Sequence, residues 1–338
     1  MKTNHALSIE AAADLLRNNE VVAFPTETVY GLGAVVASDE AVSKIFTAKG
    51  RPGDNPLIVH IGDISQLEFV VSAIPNTARR LMDAFWPGAL TIVLPKHATL
   101  SATVTAGLDT VGVRMPSHPV ALALLKEVNL PIAAPSANVS GKPSPTTAQH
   151  VADDLSGKIV GIVDGGETQI GLESTVIDCT VDPPVILRPG SVTKREIEAV
   201  IGRKVILHEP SKDIESAPKS PGMKYKHYAP KSPMSIVKGD GAFFQCVINQ
   251  ARSRGQKVGI LVTEAHRSKY TADVVVIVGN NDASIAKRLY NALREFDAHD
   301  INVIYSESFT ETGLGTAIMN RLLKASGYRV IKEDGGQL

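Results

Sequence analysis

The sequence predicts an α/β protein in two parts, each with a sheet and flanking helices, joined by a long linker. Short, apolar, β-branched runs alternate with amphipathic helical patterns, which is typical of sheets covered by helices. All 20 prolines lie between Pro25 and Pro233, and the chain beyond Pro233 has none, which indicates a differently built region. The length of 338 residues fits about two domains at ~150 residues each.

The N-terminal part, residues 1–203, is predicted to be a twisted mixed sheet with flanking helices. Helices that begin at a serine or threonine, whose side chain can cap the first turn, are predicted over 8–18, 38–48, 146–155 and 193–201. Two more helices are predicted near 76–85 and 118–128. Apolar runs predict strands over 21–24, 56–61, 89–94, 111–115, 131–134, 159–164, 174–178 and 185–188.

Residues 204–233 have no apolar period and are rich in proline and lysine, so we predict a linker that is semi-extended where the prolines cluster. Beyond it, strands and helical patterns alternate regularly. The strands are predicted over 234–239, 257–263, 273–279 and 301–307, and the helices over 242–255, 282–298 and 315–326. This alternation predicts βαβ units, and hence a small Rossmann-like domain with a parallel sheet over residues 234–338.

Composition excludes several classes of protein. The chain has 35 basic and 35 acidic residues, which argues against a strongly basic nucleic-acid binder. Its two cysteines, Cys179 and Cys246, form no CxxC pair, so neither a disulfide framework nor a thiolate zinc site is expected. No stretch approaches the ~20 apolar residues of a membrane span, and no signal-peptide pattern is present. We therefore expect a cytoplasmic protein with no membrane partner.

The common catalytic motifs are missing from the sequence. A P-loop, a complete GxGxxG fingerprint, HExxH and GxSxG are all absent. A covalent serine hydrolase or a zinc enzyme is therefore not indicated.

Two short segments carry residues suited to a phosphate-bearing ligand. Lys49 and Arg51 precede Pro52, which favours an extended backbone at Arg51, and an extended segment would place both cations on one side. Paired cations suit a polyphosphate, although a solvated loop with exposed charges is the alternative. Residues 134–146 follow an apolar strand and are mostly small and polar, as expected where ligands bind beyond a strand end. An ordinary connection is the alternative there.

Other polar residues suggest an anionic ligand more weakly. Thr26, Thr28 and Tyr30 would share one face of an extended segment, although an ordinary strand end would look similar. Arg114 and Arg188 end apolar strands just before prolines, where each must reach solvent or an anion. His60 suits a core histidine better than a ligand. Ser174 and Thr175 fit either a site or a plain strand equally well.

The motifs that carry a family resemblance follow one another in a fixed order. They are PTETVYGLG, KGRPGDNPLIVHI, WPGALTIVL, VGVRMPSHP, APSANVSGKPSPT, GLESTVID and LRPGS. The chain resembles the YrdC/YwlC family of L-threonylcarbamoyladenylate synthases in its longer, two-domain form, over roughly residues 7–203. The resemblance implies a YrdC-like catalytic domain over 1–203, a linker or lid over 204–233 that contains SPGMKYKHYAP, and the Rossmann-like domain over 234–338, which matches mainly in length and pattern.

The resemblance also implies an activity. The family makes L-threonylcarbamoyl-AMP and pyrophosphate from L-threonine, bicarbonate or CO2, and ATP, with Mg²⁺ held mainly through the ATP phosphates and no protein metal site. A separate tRNA threonylcarbamoyl transferase complex then uses the product to form N6-threonylcarbamoyladenosine in tRNAs that read ANN codons. Direct tRNA binding, the oligomeric state and the role of the C-terminal domain are left open.

Site residues follow from the resemblance position by position. The residues implied as catalytic are Lys49, Arg51, Ser136 and Asn138. Those implied for threonine are Thr28, His60, Arg114, Ala134 and Ser174, with Arg114 as a bidentate partner of the carboxylate. Those implied for the nucleotide are Arg51, Asn55, Thr110, Ser136, Ser144, Arg188 and Tyr228. Either Tyr228 or its neighbour His227 would close over the nucleotide, and His60 is one candidate for a general base.

Three alternatives of other kinds remain at this point. One is an RNA-binding module that recognises tRNA or duplex RNA without nucleotidyl transfer. Another is an enzyme that makes a different carbamoyl adenylate, for example from carbamoyl phosphate. The third is a regulatory protein that binds ATP without threonine-stimulated pyrophosphate release.

Overall fold

The computed structural model describes residues 2–208 and 227–333. These residues divide into two compact units, each described separately below. The first contains residues up to 140 together with 144–208, and the second contains 141–143 together with 227–333. Most of the predicted linker, including the lysines of KYK, lies outside the described residues. Within those residues, no helix combines the length and apolar character that crossing a membrane requires.

The first unit is a large mixed sheet with helices on it. Its strands are β1 (Val22–Phe24), β2 (Gly31–Val35), β3 (Ile58–His60), β4 (Leu90–Pro95), β5 (Thr110–Arg114), β6 (Ile132–Ala133), β7 (Gly161–Ile162), β8 (Thr175–Asp178), β9 (Val185–Arg188) and β10 (Ile206–Leu207). Its helices are α1 (Ile9–Arg17), α2 (Asp39–Lys49), α3 (Asn76–Phe85), α4 (Ala102–Thr105), α5 (Pro119–Val128), α6 (Ala148–Leu155) and α7 (Lys194–Ile201).

The strand order in this sheet is β10-β9-β8-β4-β5-β3-β6-β2-β1-β7. The sheet contains parallel pairs such as β3 with β5 and antiparallel pairs such as β4 with β5, so the predicted mixed sheet is confirmed. The prediction that four helices begin at a serine or threonine is also confirmed. The side chains of Ser8, Ser38 and Thr193 accept hydrogen bonds from first-turn N–H groups, and the fourth cap is Thr147, one residue later than predicted.

The loop after β1 differs from the prediction. Residues 26–30 are not an extended segment, because the Thr26 hydroxyl accepts from the backbone N–H groups of Thr28 and Val29 and bends the chain. The extended part follows as β2, which was not predicted because GLGAV is rich in glycine. A Cβ at Gly33 would lie 2.8 Å from the Phe24 ring, so this strand packs where only glycine fits.

Strand β10 also differs from the prediction, because it lies inside the segment predicted as linker. Ile206 and Leu207 pair in parallel with Val185 and Ile186 of β9, so the first unit continues past residue 203.

The second unit is a parallel sheet covered by helices. Its strands are β11 (Met234–Lys238), β12 (Val258–Val262), β13 (Val274–Ile277), β14 (Val303–Glu307) and β15 (Val330–Lys332), and its helices are α8 (Gly241–Ser253), α9 (Asp282–Glu295) and α10 (Leu314–Ala325). The order is β13-β12-β14-β11-β15 and every pair is parallel. The predicted Rossmann-like sheet is confirmed, and β15 is an additional short strand.

Candidate active site

The first unit gathers several predicted site residues at one edge of its sheet. Strands β3 and β5 run in parallel and end side by side at His60 and Arg114. Because β4 is antiparallel to β5, and β8 is parallel to β4, strand β8 begins at this same edge. Strand β9 is antiparallel to β8 and ends there at Arg188. The fold therefore brings two buried arginines, His60 and Ser174 to one edge.

Arg114 is held by three residues on two segments, the loop between β1 and β2 and the residues just before β4. Its Nε donates to the Gly88 carbonyl over 3.0 Å, and its Nη1 donates to the Thr28 hydroxyl over 2.9 Å. Its Nη2 lies 2.7 Å from Oε1 of Glu27, and both side chains are only 4% exposed. The structure brings the predicted residues Thr28 and Arg114 together. Sequence reasoning missed Glu27, for which the only signal was an acidic residue inside the motif PTETVYG.

Burial and charge set the protonation of this cluster. Burial raises the pKa of Glu27, but the Arg114 charge and hydrogen bonds outweigh it and hold that pKa below its usual value. Burial, followed by the nearby Arg114 charge, lowers the pKa of His60 to about 3. A neutral imidazole with so low a pKa is a weak base. The assignment of His60 as general base stays a prediction.

Some buried polar atoms near the site lack protein partners. Within the described ranges, Nδ1 of His60 and Nδ1 of His118 make no hydrogen bond, and neither does Oδ1 of Asn55, which lies on the loop before β3, at the other end of that strand from His60. Buried polar atoms in folded proteins are nearly always bonded, so unbonded ones indicate a place that a ligand or water fills. This fits a binding site at the edge of the sheet.

Lys49 joins the two predicted motif pairs. It is the last residue of α2 and is followed by Gly50 in the left-handed conformation, so the predicted extended segment through Lys49 and Arg51 is wrong. The helix end instead directs the Lys49 side chain inward. Its Nζ donates to the carbonyl of Ser136 and, over 2.6 Å, to the carbonyl of Asn138.

Arg51 folds back on its own loop. Its Nη2 donates to the carbonyls of Asn55, over 3.3 Å, and Pro56, over 3.0 Å. Arg51 and Asn55, both predicted for the nucleotide, therefore lie together, with Asn55 buried.

Three further hydrogen-bonded pairs contain predicted residues. The Ser174 hydroxyl lies 2.7 Å from that of Thr91, and Arg188 donates to both the carbonyl and the hydroxyl of Ser174. The Ser144 hydroxyl donates to Oε1 of the buried Glu173 over 2.6 Å. Thr91 and Glu173 were not predicted as site residues.

Three more predicted residues lie at separate places in the first unit. Ala134 is buried just after β6, and its N–H donates to the Ile58 carbonyl. Ser136 forms an isolated antiparallel bridge with Gly31. Thr110 begins β5, so it lies at the opposite end of this strand from Arg114, about 13 Å away at ~3.3 Å per residue.

Tyr228 lies in the second unit. Its ring is 5% exposed and stacks on Tyr290 with 5.1 Å between centroids, and Cζ of Arg321 lies 5.8 Å from the Tyr228 ring centre. Its φ of 63° is a left-handed conformation that a tyrosine rarely adopts. Closure of Tyr228 or His227 over a nucleotide stays a prediction.

The described residues contain no group of three or more histidine, cysteine, aspartate or glutamate side chains able to hold a metal ion. Buried arginines and hydroxyl groups where several strands of the sheet end, together with a buried lysine that contacts Ser136 and Asn138, define a class of α/β protein with a candidate site for small anionic molecules.

Comparison with known proteins places the chain within that class. Residues 14–190 match the Sua5–YciO–YrdC family model, described as "Telomere recombination", and residues 192–327 match the model "Threonylcarbamoyl-AMP synthase, C-terminal domain". The chain belongs to the Sua5–YciO–YrdC family, in the form that also carries the Sua5 C-terminal domain.

The relatives match along nearly their whole length. The threonylcarbamoyl-AMP synthase of Bacillus subtilis is 56% identical over 98% of this chain and 96% of its own. That of Pyrococcus abyssi is 51% identical over 96% of this chain and 95% of its own. The crystal structure of Pyrococcus abyssi Sua5 complexed with L-threonine superposes with a TM-score of 0.92 at 49% identity, covering 98% of this chain and 99% of that one.

Proposed function

We propose that this protein is a threonylcarbamoyl-AMP synthase, a nucleotidyltransferase that converts L-threonine, bicarbonate or CO2, and ATP into L-threonylcarbamoyl-AMP and pyrophosphate. The observation that carries the proposal is the full-length similarity to a protein solved with L-threonine. The geometry supports it, because Arg114 and Thr28 form a buried site for a carboxylate, and Lys49 binds the loop that carries Ser136 and Asn138.

The chemistry needs positioning and charge more than a protein nucleophile. The threonine ammonium loses a proton, and the resulting amine attacks CO2. This forms a C–N bond, and loss of a second proton from the nitrogen to solvent gives the N-carboxylate. An oxygen of that carboxylate attacks the α-phosphorus of ATP, the bond between the α-phosphorus and the bridging oxygen breaks, and pyrophosphate leaves. Phosphoryl-type transfers of this kind depend mainly on alignment and on neutralisation of charge.

The chain's own cations have distinct proposed roles. Arg114 binds the threonine carboxylate, with the Thr28 hydroxyl beside it. Lys49, Arg51 and Arg188 balance the charge on the ATP phosphates. Asn55, Thr110, Ser136, Ser144 and Tyr228 are proposed nucleotide contacts, and Ala134 and Ser174 are proposed threonine contacts.

Mg²⁺ belongs to the proposal as the ion that accompanies ATP. The described part of the chain holds no group of three acidic or imidazole side chains that could bind it alone, so we expect phosphate oxygens to supply most of its ligands. When bound, the ion would neutralise charge on the phosphates.

The product is a reactive mixed anhydride, so a second protein must use it promptly. We propose that a tRNA threonylcarbamoyl transferase complex receives it and modifies tRNAs that read ANN codons.

The test is pyrophosphate release from ATP and Mg²⁺ with L-threonine and bicarbonate, compared with omission of each and with L-serine. Release that needs both co-substrates supports the synthase. Release that is indifferent to threonine, or ATP binding without threonine-stimulated release, would point to a regulatory nucleotide-binding protein. Release that needs carbamoyl phosphate would identify another carbamoyl adenylate. Salt-dependent tRNA binding without turnover would favour an RNA-binding module.

A further inference from the structure

Glu27 is a buried carboxylate that none of the proposed roles uses. It lies in the loop between β1 and β2, and only 4% of its side chain is exposed. Backbone hydrogen bonds hold the loop at Glu27 itself and at Thr28. The Ile170 N–H donates to the Glu27 carbonyl over 2.8 Å, and the Gly171 N–H donates to the Thr28 carbonyl over 3.1 Å. The carboxylate is therefore presented from a fixed backbone.

The carboxylate faces a guanidinium whose other contacts are also fixed. Oε1 of Glu27 lies 2.7 Å from Nη2 of Arg114, while Nε and Nη1 of Arg114 donate to Gly88 and Thr28. A guanidinium has five N–H groups. Three protein contacts from two segments, Glu27 and Thr28 on one loop and Gly88 on another, fix the plane of the guanidinium, and this plane sets the directions of its remaining N–H groups.

We infer that Glu27 is a positioning residue, which acts through Arg114 by holding its guanidinium in the orientation that binds the carboxylate of the amino-acid substrate. This inference rests on the proposed function. A buried cation without its counter-charge is strongly disfavoured, so Arg114 would turn toward other acceptors if Glu27 were neutral. The site for the substrate carboxylate would then be lost although Arg114 itself was still present.

The experiment is equilibrium binding of L-threonine to the full-length protein, with steady-state pyrophosphate release as the second readout. We expect Glu27→Gln to weaken threonine binding at least tenfold and to raise the threonine KM similarly, while the ATP KM changes less than threefold. Glu20→Gln is the matched control, since Glu20 is a partly exposed acid paired with Lys44 in the same unit. We expect that control to behave as wild type.

A double-mutant cycle separates positioning from a direct or purely structural role. In an Arg114→Gln background, Glu27→Gln should weaken threonine binding less than threefold further, because its effect passes through Arg114. Glu27→Asp keeps the charge and should recover part of the affinity that Glu27→Gln loses. An aspartate as damaging as glutamine would overturn the inference. The inference would also be overturned if Glu27→Gln weakened threonine binding by a full tenfold in the Arg114→Gln background.

Failure of the inference and failure of the proposed function give different results. A folded Glu27→Gln protein with wild-type threonine affinity, in an enzyme that releases pyrophosphate on threonine addition, overturns only the role of Glu27. Glu27-dependent threonine binding without pyrophosphate release overturns only the proposed function. A wild-type protein that binds no L-threonine overturns both.

Discussion

Arg188 donates two hydrogen bonds to Ser174, one from Nε to the backbone carbonyl over 3.1 Å and one from Nη2 to the hydroxyl over 3.2 Å. Ser174 is proposed for threonine and Arg188 for the nucleotide. Their direct contact implies that the two proposed subsites adjoin. Adjoining subsites suit a reaction in which an oxygen on the modified amino acid must reach the α-phosphorus of ATP.

Substitution of Ser174 by alanine should therefore affect both substrates. The variant loses the hydroxyl that bridges Thr91 and Arg188, and one such hydrogen bond contributes about 1–2 kcal/mol, or about 5- to 30-fold. We expect Ser174→Ala to raise the KM for threonine and for ATP, each by a factor in that range, in the pyrophosphate-release assay. Ser65→Ala, on an exposed turn, is the control. A change confined to one substrate would contradict the shared contact.

Loss of the Lys49 ammonium should greatly reduce the rate of pyrophosphate release. Lys49→Met retains the aliphatic part of the side chain but removes the donor to the carbonyls of Ser136 and Asn138. We expect pyrophosphate release to fall about 100-fold or more, as is typical when a buried charge-stabilising donor is lost. Lys44→Met, on the same helix but paired with Glu20 near the surface, should retain activity. Equal loss in both variants would point to damage to α2 itself.

His60 should make the first unit sensitive to acid. Because burial and Arg114 lower the pKa of His60 to about 3 in the folded protein, the unfolded chain takes up the proton first as the pH falls below about 6.5. Stability attributable to neutral His60 is present above pH 6.5 and is lost as the pH falls toward 3. Between pH 6.5 and 5, wild type should lose about 2 kcal/mol more than His60→Gln.

Urea unfolding followed by fluorescence measures this loss, because the single tryptophan, Trp86, lies in the first unit. Exchange of the partly exposed His97 for glutamine should leave the pH dependence of wild type unchanged. If the free energy of unfolding of wild type and of His60→Gln falls equally with pH, His60 takes up its proton as readily in the folded protein as in the unfolded chain, which contradicts the prediction.

Tyr228 should stabilise the second unit whatever its part in nucleotide binding. Its ring is buried against Tyr290 and beside Arg321, so Tyr228→Ala should lower the free energy of unfolding of this unit by about 3 kcal/mol. Tyr228→Phe keeps the stacked ring and should cost far less. The measurement is urea unfolding by circular dichroism, and it must precede any interpretation of ATP affinity. Unchanged stability in Tyr228→Ala would mean that the packing contributes nothing.

The sequence predicted the parts of the fold that have strong local signals. Ser8, Ser38 and Thr193 cap helices where the pattern placed them, and 76–85 is helical over the predicted range. Strand β2 was not predicted because it contains two glycines. One of them, Gly33, packs too closely against Phe24 for a Cβ to fit, and such packing is not visible in a local pattern. Strand β10 was not predicted because its two residues are too few to show the alternation of apolar and polar side chains that indicates a strand.

Local sequence patterns predicted less of the candidate site than of the fold. Lys49 meets Ser136 and Asn138 through the end of a helix, and no local rule links residues so far apart in the chain. The family resemblance, rather than spacing, named these residues together. Glu27 was overlooked because an acidic residue in a polar loop looks solvated until the fold places Arg114 beside it.

The strand order of the second sheet constrains how this unit can form on the ribosome. Strand β11 pairs only with β14 and β15 among the described strands, so it has no sheet neighbour when it is first synthesised. Val303 of β14 follows Lys238 by about 65 residues, or about 3–13 s of translation at ~5–20 residues per second. The apolar strand β11 has no sheet neighbour during that interval, so this part of the nascent chain is exposed to aggregation until β14 is made.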